Sequence, residues 1–251
     1  MVQMAVELND ETLTNRQAMA GDQDSYIRII DDICCLPWEK LSGSEILQVA
    51  HAYYYFSIQF RENLEIALQL YPNDSNLQQL HLEECATANL SPWPKIAHPG
   101  EKLNHDEFMR RLLALQPLVY TDRIIAAGSQ YLQFTRQCDA QSRALSIVSY
   151  EDGGLNRIFG AILRATEWSG EAQQAFRHFL EKHLLFDSDP DEGHGALCRH
   201  FAPDNRVTPL WQAFKDILLA SAPTLTTTGL FTHLDERREG PARIQSSPPA
   251  A

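Results

Sequence analysis

The spacing of its apolar residues constrains this chain more than any other feature, because it follows the period of an α-helix almost throughout. Apolar residues recur at intervals of three and four in the segment 26–33 and again in the segment 176–184. The strict alternation of apolar and polar residues that is typical of a β-strand is almost absent. We therefore predict an all-α fold, a single bundle of seven to nine helices around one core.

Local signals predict where several helices begin. Ser42 and Glu45 have the spacing of a capping box at the start of a long helix over 45–70. Asn104 is the predicted N-cap of a later helix, and the proline-rich stretch 91–100 predicts an extended loop before it.

Length and composition favour one folded unit with polar ends. The chain has 251 residues, of which 44% are hydrophobic, which is enough for one large domain or two small ones. We expect the helical domain to cover 22–222. The flanking segments 1–21 and 223–251 are polar or rich in Ser, Pro and Ala, so we expect disordered tails there.

Charge and targeting signals exclude several classes of partner. The chain carries 33 acidic against 21 basic residues, a formal net charge of −12. An acidic surface repels nucleic-acid phosphates and anionic lipid, so we expect neither nucleic-acid nor membrane binding. No apolar run approaches the roughly 20 residues of a membrane-spanning helix. Because the N-terminus also lacks the pattern of a secretory signal, we expect a cytoplasmic protein.

Histidines and acids cluster in one segment, which reads His183-Leu-Leu-Phe-Asp187-Ser-Asp-Pro-Asp191-Glu-Gly-His194. The first histidine and aspartate are four residues apart and the last pair three apart, so on a helix each pair shares one face. Imidazoles and carboxylates that converge inside a helical bundle are typical ligands of non-haem iron or manganese. A solvated acidic loop between surface histidines is the alternative that spacing alone leaves open.

Further acids and histidines lie earlier in the chain. Glu83 and Glu84 are adjacent on a predicted helix, where side chains point about 100° apart, so at most one faces the core. His105 begins the next helix, and Glu151 precedes an apolar one. Each has a plain alternative: a solvated helix face for the glutamates, a surface position for His105, and a helix-dipole contact for Glu151.

In this order, the residues resemble the pattern of the haem-oxygenase-like di-metal oxidases and oxygenases, which are related in fold to thiaminase-type and pyrroloquinoline-quinone-synthesis proteins. In that family a Glu-Glu pair ends one helix, a histidine and a later glutamate follow, and a His-x-x-x-Asp-x-x-His series closes the site. The resemblance covers about 45–200 and includes the aromatic run 53–60, which is similar to the family's first core helix. It implies a haem-oxygenase-like bundle with these metal ligands: Glu84, His105, Glu151, His183, Asp187, Asp191 and His194.

The chain departs from the family pattern in its first core helix and in a later loop. Gln59 stands where many members have a glutamate ligand, and a neutral amide is a poor ligand for iron. One metal would therefore be weak or lost, unless Glu62 one turn later substitutes. The loop before His105 is long, and His98 within it competes for the ligand role.

Two further choices of ligand remain open from the sequence. The closing series has four extra residues, about one helical turn, so either Asp187 or Asp191 fits as its carboxylate. Either Glu83 or Glu84 fits as the ligand from the glutamate pair.

The resemblance implies an enzyme that binds Fe(II), two ions per chain if the site is intact, with O₂ as co-substrate. The substrate would be a small metabolite with an amino or carboxyl group, changed by N-oxygenation, desaturation or oxidative cleavage. Tyr54, Tyr55 and Gln59 would line the substrate pocket. An external electron donor and a homodimer are both compatible with this reading.

Two other functions fit the same sequence. Gln59 favours a metal-free haem-oxygenase-like protein, either a ligand-binding protein or a cofactorless enzyme with a degraded metal site. The acidic surface is also compatible with a helical interaction protein that performs no chemistry.

Overall fold

Helices make up most of the computed structural model, which describes residues 25–116, 122–186 and 193–226. Within these ranges no β-strand occurs beyond two isolated bridges, Thr87 with Leu103 and Trp93 with Ala97. The prediction of an all-α single bundle is confirmed. In the same ranges, no helix has both the length and the apolar character needed to cross a membrane.

The α-helices in chain order are α1 Ser25–Cys34, α2 Gly43–Leu70, α3 Ser75–Cys85, α4 His105–Leu115, α5 Asp122–Gln137, α6 Ala140–Ser149, α7 Leu155–Ile162, α8 Glu171–Phe186, α9 His194–Cys198 and α10 Thr208–Ser221. A π-helical turn, Tyr150–Gly154, joins α6 to α7.

The predicted helix starts of α2 and α4 are confirmed by their caps. The Ser42 hydroxyl accepts a hydrogen bond from the Glu45 N–H, and the Glu45 carboxylate accepts one from the Ser42 N–H at 3.1 Å. The Asn104 side chain accepts a hydrogen bond from the Glu107 N–H at 2.9 Å. Such a cap typically contributes about 1 kcal/mol, and the Asn104 cap fixes the point at which His105 enters α4.

Helix α2 is the centre of the bundle and packs against α3, α4, α5, α6, α8 and α10. Because it has neighbours on several sides, its buried residues cover a broad arc rather than one narrow stripe, as the different directions of Leu47, Ala52 and Phe60 illustrate. Burial of each large apolar side chain stabilises the fold by roughly 1.5–3 kcal/mol. The apolar core therefore holds the bundle together, and polar groups inside it are available for other roles.

Folded structure continues past the boundary that the sequence suggested at residue 222. Residues Pro223–Leu225 form a 3-10 turn, and Leu225 is buried. The Thr224 N–H donates to the Glu45 carboxylate at 3.0 Å, which ties this turn to the start of α2. The predicted tail 1–21, the first residues 22–24 of the predicted domain, and the rest of the second tail, 227–251, lie outside the described residues.

Candidate metal centre

Five buried side chains from five different segments meet on one side of α2. Each is less than a tenth exposed, although the first and last are separated by 110 positions in the chain. They are Glu84 at the end of α3, His105 at the start of α4, Glu151 in the π-helical turn, His183 in α8 and His194 at the start of α9. We call these five residues the carboxylate–imidazole cluster.

The cluster contains two overlapping groups of ligand atoms. Glu84, His105 and His183 each offer one atom, and these atoms lie within 4.8 Å of one another. Glu84, Glu151 and His194 form a second group that meets the same limit. Glu84 belongs to both groups, so the arrangement has the form of two neighbouring metal positions that share one carboxylate.

The two oxygens of Glu84 face different histidines. Its Oε2 atom is 2.7 Å from Nδ1 of His105, and its Oε1 atom is 2.9 Å from Nδ1 of His194. The same Nδ1 of His194 lies 3.5 Å from Oε2 of Glu151. On the other side, Nε2 of His183 lies 3.3 Å from Nδ1 of His105. One carboxylate therefore stands between two imidazole groups, with a separate oxygen within 3 Å of each.

A break between α6 and α7 brings Glu151 into the cluster. Asp152 and Gly153 have non-helical backbone angles, and Gly153 has φ +87°, a conformation that glycine adopts easily. At Gly154, an added Cβ would lie 2.3 Å from the Ser149 carbonyl oxygen and 2.8 Å from the Trp211 ring. Only glycine fits at that position, so the two glycines permit the tight turn that carries Glu151.

A backbone hydrogen bond fixes the orientation of the His183 ring. Its Nδ1 lies 2.7 Å from the Phe179 carbonyl oxygen one turn earlier in α8. Because a carbonyl oxygen only accepts, Nδ1 carries the proton and Nε2 of the neutral ring presents its lone pair to the cluster. Metal-binding histidines are commonly oriented through the second nitrogen in this way.

The groups in the cluster shift one another's protonation. Burial raises the pKa of Glu84, but the imidazoles of His105 and His194 outweigh it and hold that pKa well below its usual value. Burial also raises the pKa of Glu151, and the charge of Glu84 adds to this rise. Burial and the neighbouring His105 lower the pKa of His183 to about 3. Burial lowers the pKa of His194 too, but its contacts with Glu151 and Glu84 overcome this and raise it to about 12.

The donor set fits a transition-metal ion. Two buried carboxylates in one small volume need a compensating cation, because an unpaired buried charge is strongly unfavourable. A proton on His194 can supply that charge, and so can a metal ion. Imidazole nitrogens together with carboxylate oxygens suit Fe, Mn or Zn. The buried His and Glu groups can therefore hold a metal, although a hydrogen-bonded network without an ion uses the same contacts.

The structure separates the two pairs of alternative ligands. Glu84 lies inside the cluster, whereas the Glu83 side chain is 37% exposed at its edge. His105 is buried in the cluster, whereas His98 is exposed and its N–H donates to Glu101. Asp187 and Asp191, the remaining predicted ligands, lie outside the described residues.

Gln59 and Glu62 do not face the cluster, which corrects the expectation for the first core helix. The amide oxygen of Gln59 accepts a hydrogen bond from the Tyr131 hydroxyl at 2.8 Å on another side of α2. Glu62 forms ion pairs with Arg136 and Arg143. Ser57 is among the α2 residues in the cavity wall beside the cluster. Positions 57 and 59 are about 200° apart on a helix, so an error of two residues in register reverses the face.

The predicted pocket residues Tyr54 and Tyr55 also lie away from the inner cavity. Tyr54 lines an outer cavity that adjoins the inner one, and Tyr55 packs close to Gly128 of α5 and stacks on His51. The α2 residues that line the inner cavity beside the cluster are Tyr53, Ser57, Phe60 and Arg61. The sequence signal that could have found them is their spacing of four, three and one residues, which places them on one helix face.

Two adjoining cavities connect the cluster with the surface. The inner cavity beside the cluster has a volume of about 20 Å³, which is room for about one water molecule. The outer cavity, more open, has a volume of about 370 Å³ and shares Cys85, Asn104 and Asp106 with the inner one. Asp106 pairs with Arg61 at 3.2 Å, so an ion pair lies where the two cavities meet.

In comparisons with known proteins, no family profile, no curated protein and no solved structure matches this chain. The fold and the cluster therefore define the class of protein by themselves: an all-α bundle with a buried carboxylate–imidazole cluster that can hold a metal.

Proposed function

We propose that this protein is a non-haem iron-dependent oxidase or oxygenase that uses O₂ to oxidise a small metabolite with an amino or carboxyl group. The proposal joins the resemblance to the haem-oxygenase-like di-metal enzymes with the geometry of the carboxylate–imidazole cluster. N-oxygenation, desaturation and oxidative cleavage are the reaction types that the resemblance implies.

The observation that carries the proposal is the position of Glu84 in both groups of ligand atoms. A single structural ion pair needs one carboxylate and one histidine, but this cluster places two histidines on one side of Glu84 and a histidine with a second carboxylate on the other. His105 and His183 would hold one ion, Glu151 and His194 the other, and Glu84 would bridge them. Fe(II) held by these residues would supply the electrons that reduce O₂.

The surrounding residues would exclude water and admit the substrate. Tyr53 and Phe60 give the inner cavity an apolar wall, which protects a reactive oxidant from side reactions. The substrate would enter through the outer cavity, whose volume of about 370 Å³ suits a small metabolite. A substrate carboxylate can pair there with Lys102, or with Arg61 if it displaces Asp106, and a substrate ammonium group can pair with Asp106.

Anaerobic reconstitution with Fe(II), followed by metal analysis, tests the proposal. We expect close to two irons per chain, and consumption of O₂ when the reconstituted protein is exposed to air with a reductant. One iron per chain would indicate that only half of the site functions. No bound iron would contradict the proposal.

A specific observation favours a second candidate, a metal-free ligand-binding protein or cofactorless enzyme with the same fold. Helix α2 contributes Ser57 to the cavity wall, and Glu62, the nearby acid, is paired with arginines instead. Among the described residues, α2 therefore supplies no carboxylate to the cluster. Absence of bound iron together with an intact helical fold would support this second candidate.

A further inference from the structure

We infer that Glu83 is a positioning residue that orients the His194 ring for metal binding. This inference rests on the proposed function, and it assigns a role to the second member of the Glu83–Glu84 pair. Glu84 would be a ligand, and Glu83 would act on the metal only through His194.

The two glutamates reach opposite nitrogens of one imidazole ring. Nδ1 of His194 faces Glu84 and Glu151, at 2.9 and 3.5 Å. Nε2 of the same ring lies 3.3 Å from Oε2 of Glu83. Adjacent residues of a helix point about 100° apart, so Glu84 enters the cluster while Glu83 reaches around its rim.

Glu83 is itself held in place by its own helix. The amide of Gln79, one turn earlier in α3, donates a hydrogen bond to Oε1 of Glu83. The other oxygen, Oε2, is the one that approaches His194. The chain Gln79–Glu83–His194 therefore runs from the surface of α3 to the edge of the cluster.

Imidazole chemistry explains what this contact would do. To bind an ion through Nδ1, a neutral histidine must keep its proton on Nε2, and that proton needs an acceptor. A carboxylate in this place fixes the tautomer and the ring orientation and makes the ring a better electron donor. His183 receives the equivalent support from the Phe179 carbonyl, a neutral acceptor. The two histidines are thus oriented by different groups, and only the His194 side depends on Glu83.

Titration of the apoprotein with Mn(II) under anaerobic conditions tests the inference, with free Mn(II) measured by electron paramagnetic resonance. We expect Glu83→Ala to weaken one of two binding steps by about 10- to 100-fold, the usual loss when such a supporting group is removed. Glu83→Gln should stay within a few-fold of the wild type, because its amide oxygen still accepts from Nε2. The melting temperature of the apoprotein should be the same in all three proteins.

Glu171→Ala is the matched control. Glu171 is also a half-exposed helical glutamate in a single ion pair, with Lys95, and it lies 12 residues, about 18 Å, from His183 along α8. This variant should bind Mn(II) like the wild type.

Four outcomes would decide against the inference or its foundation. If Glu83→Ala binds both ions like the wild type, the inference fails and the proposed function stands. If Glu83→Gln is as weak as Glu83→Ala, the hydrogen bond is not the cause and the positioning role fails. If Glu83→Ala lowers the apoprotein melting temperature and weakens both steps, its role is structural. If the wild type binds neither Mn(II) nor Fe(II), the proposed function fails as well.

Discussion

Replacing the shared carboxylate, in the variant Glu84→Gln, should remove both metal ions at once. Each ion would lose an anionic ligand, and even the loss of a supporting group costs about 10- to 100-fold in affinity. Applied to two ions, this predicts a fall of at least about 100- to 10,000-fold in the product of the two binding constants. Glu151→Gln changes a ligand of only one position, so one ion should remain bound with nearly wild-type affinity.

The same variant should also destabilise the apoprotein. Removal of one partner from a buried ion pair costs about 3–5 kcal/mol, and the remaining contact of His194 with Glu151 favours the lower end. At roughly 2–4 °C per kcal/mol for a domain of this size, the melting temperature should fall by roughly 6–12 °C. Thermal unfolding followed by circular dichroism measures this fall in the absence of metal.

Equilibrium dialysis against Fe(II) without oxygen, followed by metal analysis, measures the number of ions bound. We expect about two ions in the wild type, one in Glu151→Gln and none in Glu84→Gln. If Glu84→Gln retains even one ion at wild-type affinity, Glu84 does not bridge two positions. The reasoning from the shared carboxylate would then be refuted.

Three further predictions test other parts of the site. His183→Ala and His194→Ala should each lose one ion in the same dialysis. His178→Ala and His200→Ala should keep both ions, because His178 stacks on Trp93 and His200 pairs with Asp74. Equal behaviour of all four variants would contradict the metal site. Gly154→Ala should lower stability by about 1–3 kcal/mol and weaken one binding step, because its Cβ would displace the turn that carries Glu151. Gly160→Ala in α7, where an added Cβ meets nothing within 4 Å, is its control and should stabilise the protein in thermal unfolding. Removal of metal by a chelator should leave the helical circular dichroism signal intact. Metal added back at 100 times its Kd should then raise the free energy of unfolding by about 2.7 kcal/mol. Loss of helix on chelation would show that the apolar core alone does not hold the bundle.

The helical periodicity was sufficient to predict the fold class and most helices. Apolar residues three and four apart must share a helix face, and the Ser42 and Asn104 caps mark where helices start. These are local effects that involve residues within one or two turns, so they can be recognised without knowledge of the rest of the chain.

The order of acids and histidines was enough to nominate the five residues that the structure brings together in the cluster. Their chemical type and the resemblance of their order to the pattern of the di-metal family carried that prediction. The choices of Glu84 over Glu83 and of His105 over His98 needed the structure. Neighbours on a helix differ by about 100° in direction, and only the packing of α3 decides which of them points inward.

The side of α2 that faces the cluster was the part that sequence reasoning placed wrongly. Several helices pack around this helix, so its apolar pattern does not reveal which neighbour covers which face. The sequence alone therefore determined that this chain forms a helical bundle and which residue types can bind a metal, since both follow from local periodicity and side-chain chemistry. Only the tertiary structure decided that Ser57 rather than Gln59 borders the cluster and that Glu84 stands between two groups of ligands, because those relations depend on how distant segments pack.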